Sequence, residues 1–150
     1  MNPNFRDILS AFSGHQVEYL LVGAFALAAH GYRRATGDID LWVNPTEANA
    51  KRVYAALGAF GAPLSQVTVR DFATPNIIFQ IGVEPQRIDI LTQLSGLDSF
   101  HEAWASREEV ALEDLRVPYL SRHHLIQNKR ATDRPKDRND LLWLLGDSDA

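Results

Sequence analysis

Residues 23–43 read GAFALAAHGYRRATGDIDLWV, and this stretch decides how the rest of the chain is read. Asp38 and Asp40 stand two apart in a run whose other members are apolar, Ile39, Leu41 and Val43. Side chains alternate across a strand, so the two acids share one face and the apolar residues turn to the other, into a core. The spacing predicts a strand over residues 39–43, closed by Asn44-Pro45. Upstream, an apolar run at 17–22 predicts another strand. Gly23 follows it, and residues 24–30 are expected to form a helix packed on that strand. Residues 31–37 are expected to be a loop. A strand–glycine–helix turn lets a phosphate approach backbone N–H groups. Gly23 and Ala24 are therefore candidate nucleotide contacts.

Two carboxylates held side by side repel each other and raise each other's pKa. A divalent cation removes that conflict, and magnesium prefers hard oxygen donors together with substrate phosphates. A bare D-x-D is commonly just a pair of solvated acids; the glycine loop that precedes this one makes a site the better reading. Asp89 repeats the pattern in Arg87-Ile88-Asp89-Ile90-Leu91, an acid between two core-facing isoleucines. A strand over 87–91 lying beside 39–43 would bring the third acid to the first two. Three carboxylates can hold two metal ions against the attacking and leaving oxygens of a phosphoryl displacement. Asp38, Asp40 and Asp89 are thus the candidate catalytic and metal-binding residues, with Mg2+ or Mn2+ as the cofactor.

Elsewhere the elements follow from periodicity and punctuation. Phe5, Ile8, Leu9 and Phe12 have helical spacing, which predicts a helix over 4–12 ended by Gly14. Thr46 is a predicted N-cap for a helix to about residue 57, broken by Gly58 and Gly61. Short strands are expected at 67–69 and 77–81, the second followed by a turn at 82–86. A helix is expected at 97–106, and a hairpin at 110–117 turning at Glu113-Asp114. Ser121 is a predicted N-cap for a helix to about residue 132. Asp133-Arg134-Pro135 interrupts, and a last helix is expected over 136–145 with Leu141, Leu142, Trp143 and Leu144 in the core. Strands that follow one another directly, mixed with helices, give an α+β (mixed α/β) class, a small mixed sheet flanked by helices.

The chain has 150 residues and a hydrophobic fraction of 45%, the size and composition of one globular domain. Its net charge of −4 argues against a dedicated duplex-DNA binder. Without cysteine, disulfides, thiolate catalysis and Cys-ligated zinc are excluded, as fits a cytoplasmic protein. Neither a signal peptide nor a membrane span is expected. Local positive charge does occur: Arg33 and Arg34 precede the acid pair, and Lys129, Arg130, Arg134, Lys136 and Arg138 cluster near the C-terminus. Arginine can stabilise charge on a transferring phosphoryl group, and the second cluster can meet triphosphate or RNA. Each is equally readable as a solvated basic segment paired with local acids. Thr36 and Gly37 shape the approach to the strand, and His30 reads as a helix-end packing residue. Asp137 and Asp140 are three apart and share a helix face, suited to orienting Lys129 or an arginine.

The run at 23–43 resembles the nucleotidyltransferase superfamily related to DNA polymerase β, and more closely its small bacterial AbiEii-type, minimal-nucleotidyltransferase-like branch. The matching features are Gly23, His30-Gly31, the Arg34-x-Thr36-x-Asp38-x-Asp40 strand and the later Asp89. The stretch NKRATDRPKDRNDLLWL extends the likeness, through Lys129, Arg134, Lys136, Asp137 and Asp140. The resemblance spans residues 19–145. It implies a nucleotidyltransferase fold and transfer of an NMP from an NTP to an acceptor hydroxyl on RNA such as tRNA, a protein or a small molecule. It implies divalent metal held by the three aspartates, a phosphate-binding role for Lys129, and a toxin-antitoxin setting with an antitoxin partner. One position departs. Many relatives have Gly-Ser at the phosphate turn, and here it is Gly23-Ala24, which favours somewhat a second reading, a catalytically inactive binding or regulatory module.

Overall fold

The computed structural model describes residues 1–33 and 37–146. Six strands form one mixed sheet: β1 (Tyr19–Val22), β2 (Ile39–Val43), β3 (Ile78–Ile81), β4 (Ile88–Leu91), β5 (Glu108–Leu112) and β6 (Leu115–Tyr119). Their order is β3-β4-β2-β1-β6-β5. The pairs β1/β2, β3/β4 and β5/β6 are antiparallel, while β2/β4 and β1/β6 are parallel. Six α-helices cover it: α1 (Pro3–Gly14), α2 (Gly23–Ala29), α3 (Glu47–Phe60), α4 (Phe100–Ala105), α5 (Arg122–Thr132) and α6 (Pro135–Gly146).

Period-2 alternation splits the hydrophobic residues between two cores, one on each face of the sheet. Tyr19, Leu21, Ile39, Leu41, Val43, Ile88 and Ile90 turn toward α1 and α3, meeting Ile8, Phe12, Val53 and Leu57. Leu20, Val22 and Trp42 turn the other way, against Leu27, Phe100, Leu125 and Leu144. The helices on this second face leave one corner of the sheet open, and the aspartates lie there.

The predicted caps form as side-chain chemistry requires. The Thr46 hydroxyl accepts from the Asn49 N–H at 3.2 Å, and the Ser121 hydroxyl from the His124 N–H at 3.4 Å. Three expectations change. The helix α3 runs through Gly58 to Phe60 and stops at Gly61, which takes the left-handed conformation at φ 95°, the usual role of a glycine one step past a helix. Residues 67–69 do not form a strand. The Thr68 N–H donates to the Asp71 carboxylate at 2.9 Å, and residues Val69–Ala73 wind into a 3-10 helix that buries Phe72. Of the four residues expected in the core of α6 only Leu144 is fully buried, and Leu142 is 70% exposed. That helix lies on the surface, where one apolar stripe suffices. Among the described residues no helix is long and apolar enough to cross a membrane.

Candidate active site

The strands β2 and β4 run parallel and in register, Ile39 opposite Ile88, Asp40 opposite Asp89, Leu41 opposite Ile90. The isoleucines and Leu41 enter the core beneath, so Asp40 and Asp89 must rise together from the other face. Asp38 precedes β2 by one residue and has the same parity as Asp40. All three acids therefore stand at one corner of one face, and all three line a cleft of about 1090 Å³.

An arginine sits among them. Arg87 donates through Nε and Nη2 to the two oxygens of Asp89, at 2.8 and 3.2 Å. Its Nη2 lies 3.6 Å from Asp38 Oδ2, and its Nη1 donates to Glu84 at 3.0 Å. The Arg87 backbone N–H also donates to Asp38 Oδ1 at 2.9 Å. The hydrogen bond with Asp89, reinforced by the charges of Asp89, Asp38 and Glu84, raises the Arg87 pKa further. Asp40 sits where this relief is weakest. Burial, then the charge and hydrogen bond of Asp89 and the charge of Asp38, push its carboxyl from 3.8 up to about 7. Near neutrality the Asp40 carboxyl is thus protonated part of the time.

Gly23 closes on this group because nothing larger fits. It has φ +67°, and a Cβ there would stand 2.4 Å from Asp40 Oδ2. Antiparallel pairing sets Val22 opposite Asp40, and Gly23 and Ala24 follow it along the cleft wall. Gly37 is held as closely, since its Cβ would collide with the carbonyl oxygen of Pro85 in the β3–β4 turn.

The opposite wall comes from α5 and α6. Lys129 is 4% exposed, and its ammonium lies 3.2 Å from Asp137 Oδ1 and 3.1 Å from Asp140 Oδ2, both acids fully buried. Arg134 holds the other side of Asp137, Nε to Oδ2 at 2.7 Å. Burial alone would raise the Asp137 pKa. Hydrogen bonds from Arg134 and Thr132, with the Lys129 charge, outweigh it and hold the carboxyl well below its usual range. The Arg134 guanidinium is stabilised chiefly by Asp137, and also by the charge of Asp40 across the cleft. The Asn128 amide donates to the Ser95 carbonyl at 3.0 Å, tying the segment after β4 to α5.

Of the residues singled out in the sequence, Asp38, Asp40, Asp89, Gly23, Ala24, Lys129, Arg134 and Lys136 line this one cleft. Asp137 and Asp140 stand behind Lys129, out of the lining. Arg33 is exposed and outside it. Arg34 and Thr36 lie outside the described residues. His30 donates through Nε2 to the Leu120 carbonyl, 2.9 Å away, and packs edge-on to Tyr119. Sequence reasoning passed over Arg87 and Asn128. For Arg87 a signal existed, because Arg87 and Asp89 are two apart on a strand and must share a face.

Three carboxylates offer the hard oxygens that Mg2+ or Mn2+ takes, so the donor chemistry fits such an ion. The oxygens are gathered around a guanidinium instead, and among the described residues no ready-made group of three or more His, Cys, Asp or Glu ligands is set out for a metal.

Among the solved structures that match, two crystal structures do so along nearly the whole length. One is the lincosamide antibiotic adenylyltransferase LnuA in its lincomycin-bound form, with TM-score 0.62 and 18% identity, over 97% of this chain and 96% of that one. The other is a Thermotoga maritima protein described provisionally as a nucleotidyltransferase, with TM-score 0.61 and 15% identity, over 98% of this chain and 96% of that one. This chain has the nucleotidyltransferase fold. No protein-family model matches the sequence, and no curated protein does so either.

Proposed function

We propose that this protein is a metal-dependent nucleotidyltransferase that moves an NMP from an NTP to an acceptor hydroxyl. The observation that carries the reading is the in-register pairing of Asp40 with Asp89, beside Asp38, at the floor of a cleft in a nucleotidyltransferase fold. Asp38, Asp40 and Asp89 would hold Mg2+ or Mn2+. When bound, the ion polarises phosphoryl oxygens and offsets charge on the departing pyrophosphate. The triphosphate lies against Gly23 and Ala24, with Lys129, Arg134 and Lys136 on the facing wall; the resemblance adds Arg34 and Thr36, just before the acids in sequence, as further contacts. The acceptor oxygen attacks the α-phosphorus, a new P–O bond forms, the bond to the β-bridging oxygen breaks, and pyrophosphate leaves. The acceptor's proton passes to a carboxylate, with Asp89 the candidate base.

For the acceptor, RNA such as tRNA, a protein and a small molecule are the three classes, the last suggested by the lincomycin bound to LnuA. The likeness to the AbiEii-type branch supports a toxin-antitoxin setting. A second reading, an inactive binding or regulatory module, draws on Ala24, which offers no hydroxyl to a phosphate, and on the arginine seated among the acids. One experiment separates them: each α-labelled NTP with Mg2+ or Mn2+, offered total tRNA, cell extract or lincomycin. Labelled product that disappears in Asp40→Asn supports the enzyme. Nucleotide binding without transfer to any acceptor supports the module.

A further inference from the structure

We propose that Arg87 is the resident counter-cation of the acid cluster, displaced by the arriving metal and then paired with the triphosphate, so that metal and triphosphate load together. This rests on the reading just given. Arg87 makes paired contacts to both oxygens of Asp89 and reaches Asp38, the oxygens that a divalent ion needs. A guanidinium and a metal ion cannot both fill that space, so free metal must first break a charge-assisted pair. Of the Arg87 side-chain contacts among the described residues only Glu84 lies outside the cluster, and its side chain is 69% exposed, a weak anchor for a released guanidinium. The guanidinium also lines the cleft, so on leaving Asp89 it meets whatever anion lies there. Arginine suits that role, because its planar fork matches phosphate oxygens two at a time. Two other cations of the cleft are already held, Lys129 by Asp137 and Asp140 and Arg134 by Asp137, which leaves Arg87 and Lys136 to meet the phosphates. By linkage, a triphosphate that takes up Arg87 strengthens metal binding as much as metal strengthens its own.

The test is calorimetric titration of the purified protein with free Mn2+, and separately with preformed Mn2+–tripolyphosphate. In wild type the complex should bind at least about fivefold more tightly than free Mn2+, the lower end of ordinary coupling. In Arg87→Gln, free Mn2+ should bind at least about fivefold more tightly than in wild type, and the complex more weakly, by the same linkage. An Arg87→Gln protein that binds free Mn2+ no better than wild type overturns the inference while leaving the metal site standing. No binding of Mn2+ or of the complex to either protein overturns the metal-site reading and the inference with it. Should Arg87→Gln fail to fold, Arg87→Lys carries the test, since a lysine keeps the charge but gives up the paired contacts. Tighter free Mn2+ binding supports displacement, and unchanged Mn2+ affinity overturns it.

Discussion

Replacing Asp40 by asparagine removes one charge from a crowded corner while keeping its shape. In the metal-free protein burial, Asp89 and Asp38 push the Asp40 carboxyl from 3.8 up to about 7, with Arg87 pulling the other way. The folded protein thus holds this proton more tightly than the unfolded chain does. Below the unfolded value both states are protonated and folding carries no penalty. As pH rises from there to about 7, the unfolded chain ionises first and stability falls, and above that the whole penalty is present. Between pH 5 and pH 8 this comes to about 2–3 kcal/mol before salt screening. For a chain of 150 residues each kcal/mol moves the melting temperature by about 2–4 °C, giving about 4–12 °C in all. Asparagine escapes the penalty, and its amide can donate to Asp89 as the protonated carboxyl does. The assay is thermal melting of both proteins with chelator at pH 5 and pH 8. The variant's gain on wild type should be larger at pH 8 than at pH 5 by about that 4–12 °C. Added Mn2+ should then raise wild type and leave the variant unmoved. A variant that melts at or below wild type at pH 8 refutes the electrostatic account of the corner.

Two further substitutions probe other parts of the cleft. Lys129→Met strips the ammonium from the fully buried Asp137 and Asp140, and should cost about 3–5 kcal/mol, read as a lowered denaturant midpoint that Mn2+ does not restore. Gly23→Ala places a methyl 2.4 Å from Asp40 Oδ2 on a backbone at φ +67°. It should cost about 1–3 kcal/mol in urea unfolding and also blunt the Mn2+-induced rise in melting temperature, because the methyl displaces a carboxylate.

What could be read from the chain in advance was whatever local spacing encodes. Asp38-Ile39-Asp40-Leu41 alternates strictly, and β2 forms over Ile39–Val43 as that alternation requires. Thr46 and Ser121 announced their caps because a hydroxyl before an apolar run can only help a helix start. Apart from the expected approach of 87–91 to 39–43, the neighbours of each strand were not legible. That β2 lies parallel to β4, which lines up Asp40 with Asp89, depends on two core layers closing together, and no local pattern records it. Asp137 and Asp140 showed a shared helix face, but the depth at which they hold Lys129 depends on how α5 and α6 cross. At residues 67–69 the β-branched run suggested a strand, and a hydrogen bond from the Thr68 backbone N–H to the Asp71 carboxylate goes with a 3-10 turn instead. Arg87 was hidden by habit more than by physics, as an arginine at a strand end is usually solvent's concern.

The place of β1 at the middle of the sheet has a consequence for a chain emerging from the ribosome. One flank of β1 is covered early, by β2, while the other waits for β6, where Leu21 meets Tyr119. Until that hairpin arrives, the nascent sheet is open through its centre and presents unpaired N–H and C=O groups to any passing strand. All three aspartates are synthesised during this interval, before α5 and α6 can supply Lys129 and Arg134. Among the described cations lining the cleft Arg87 comes first, made two residues ahead of Asp89 and bonded to it. The third acid of the cluster therefore never emerges without its partner.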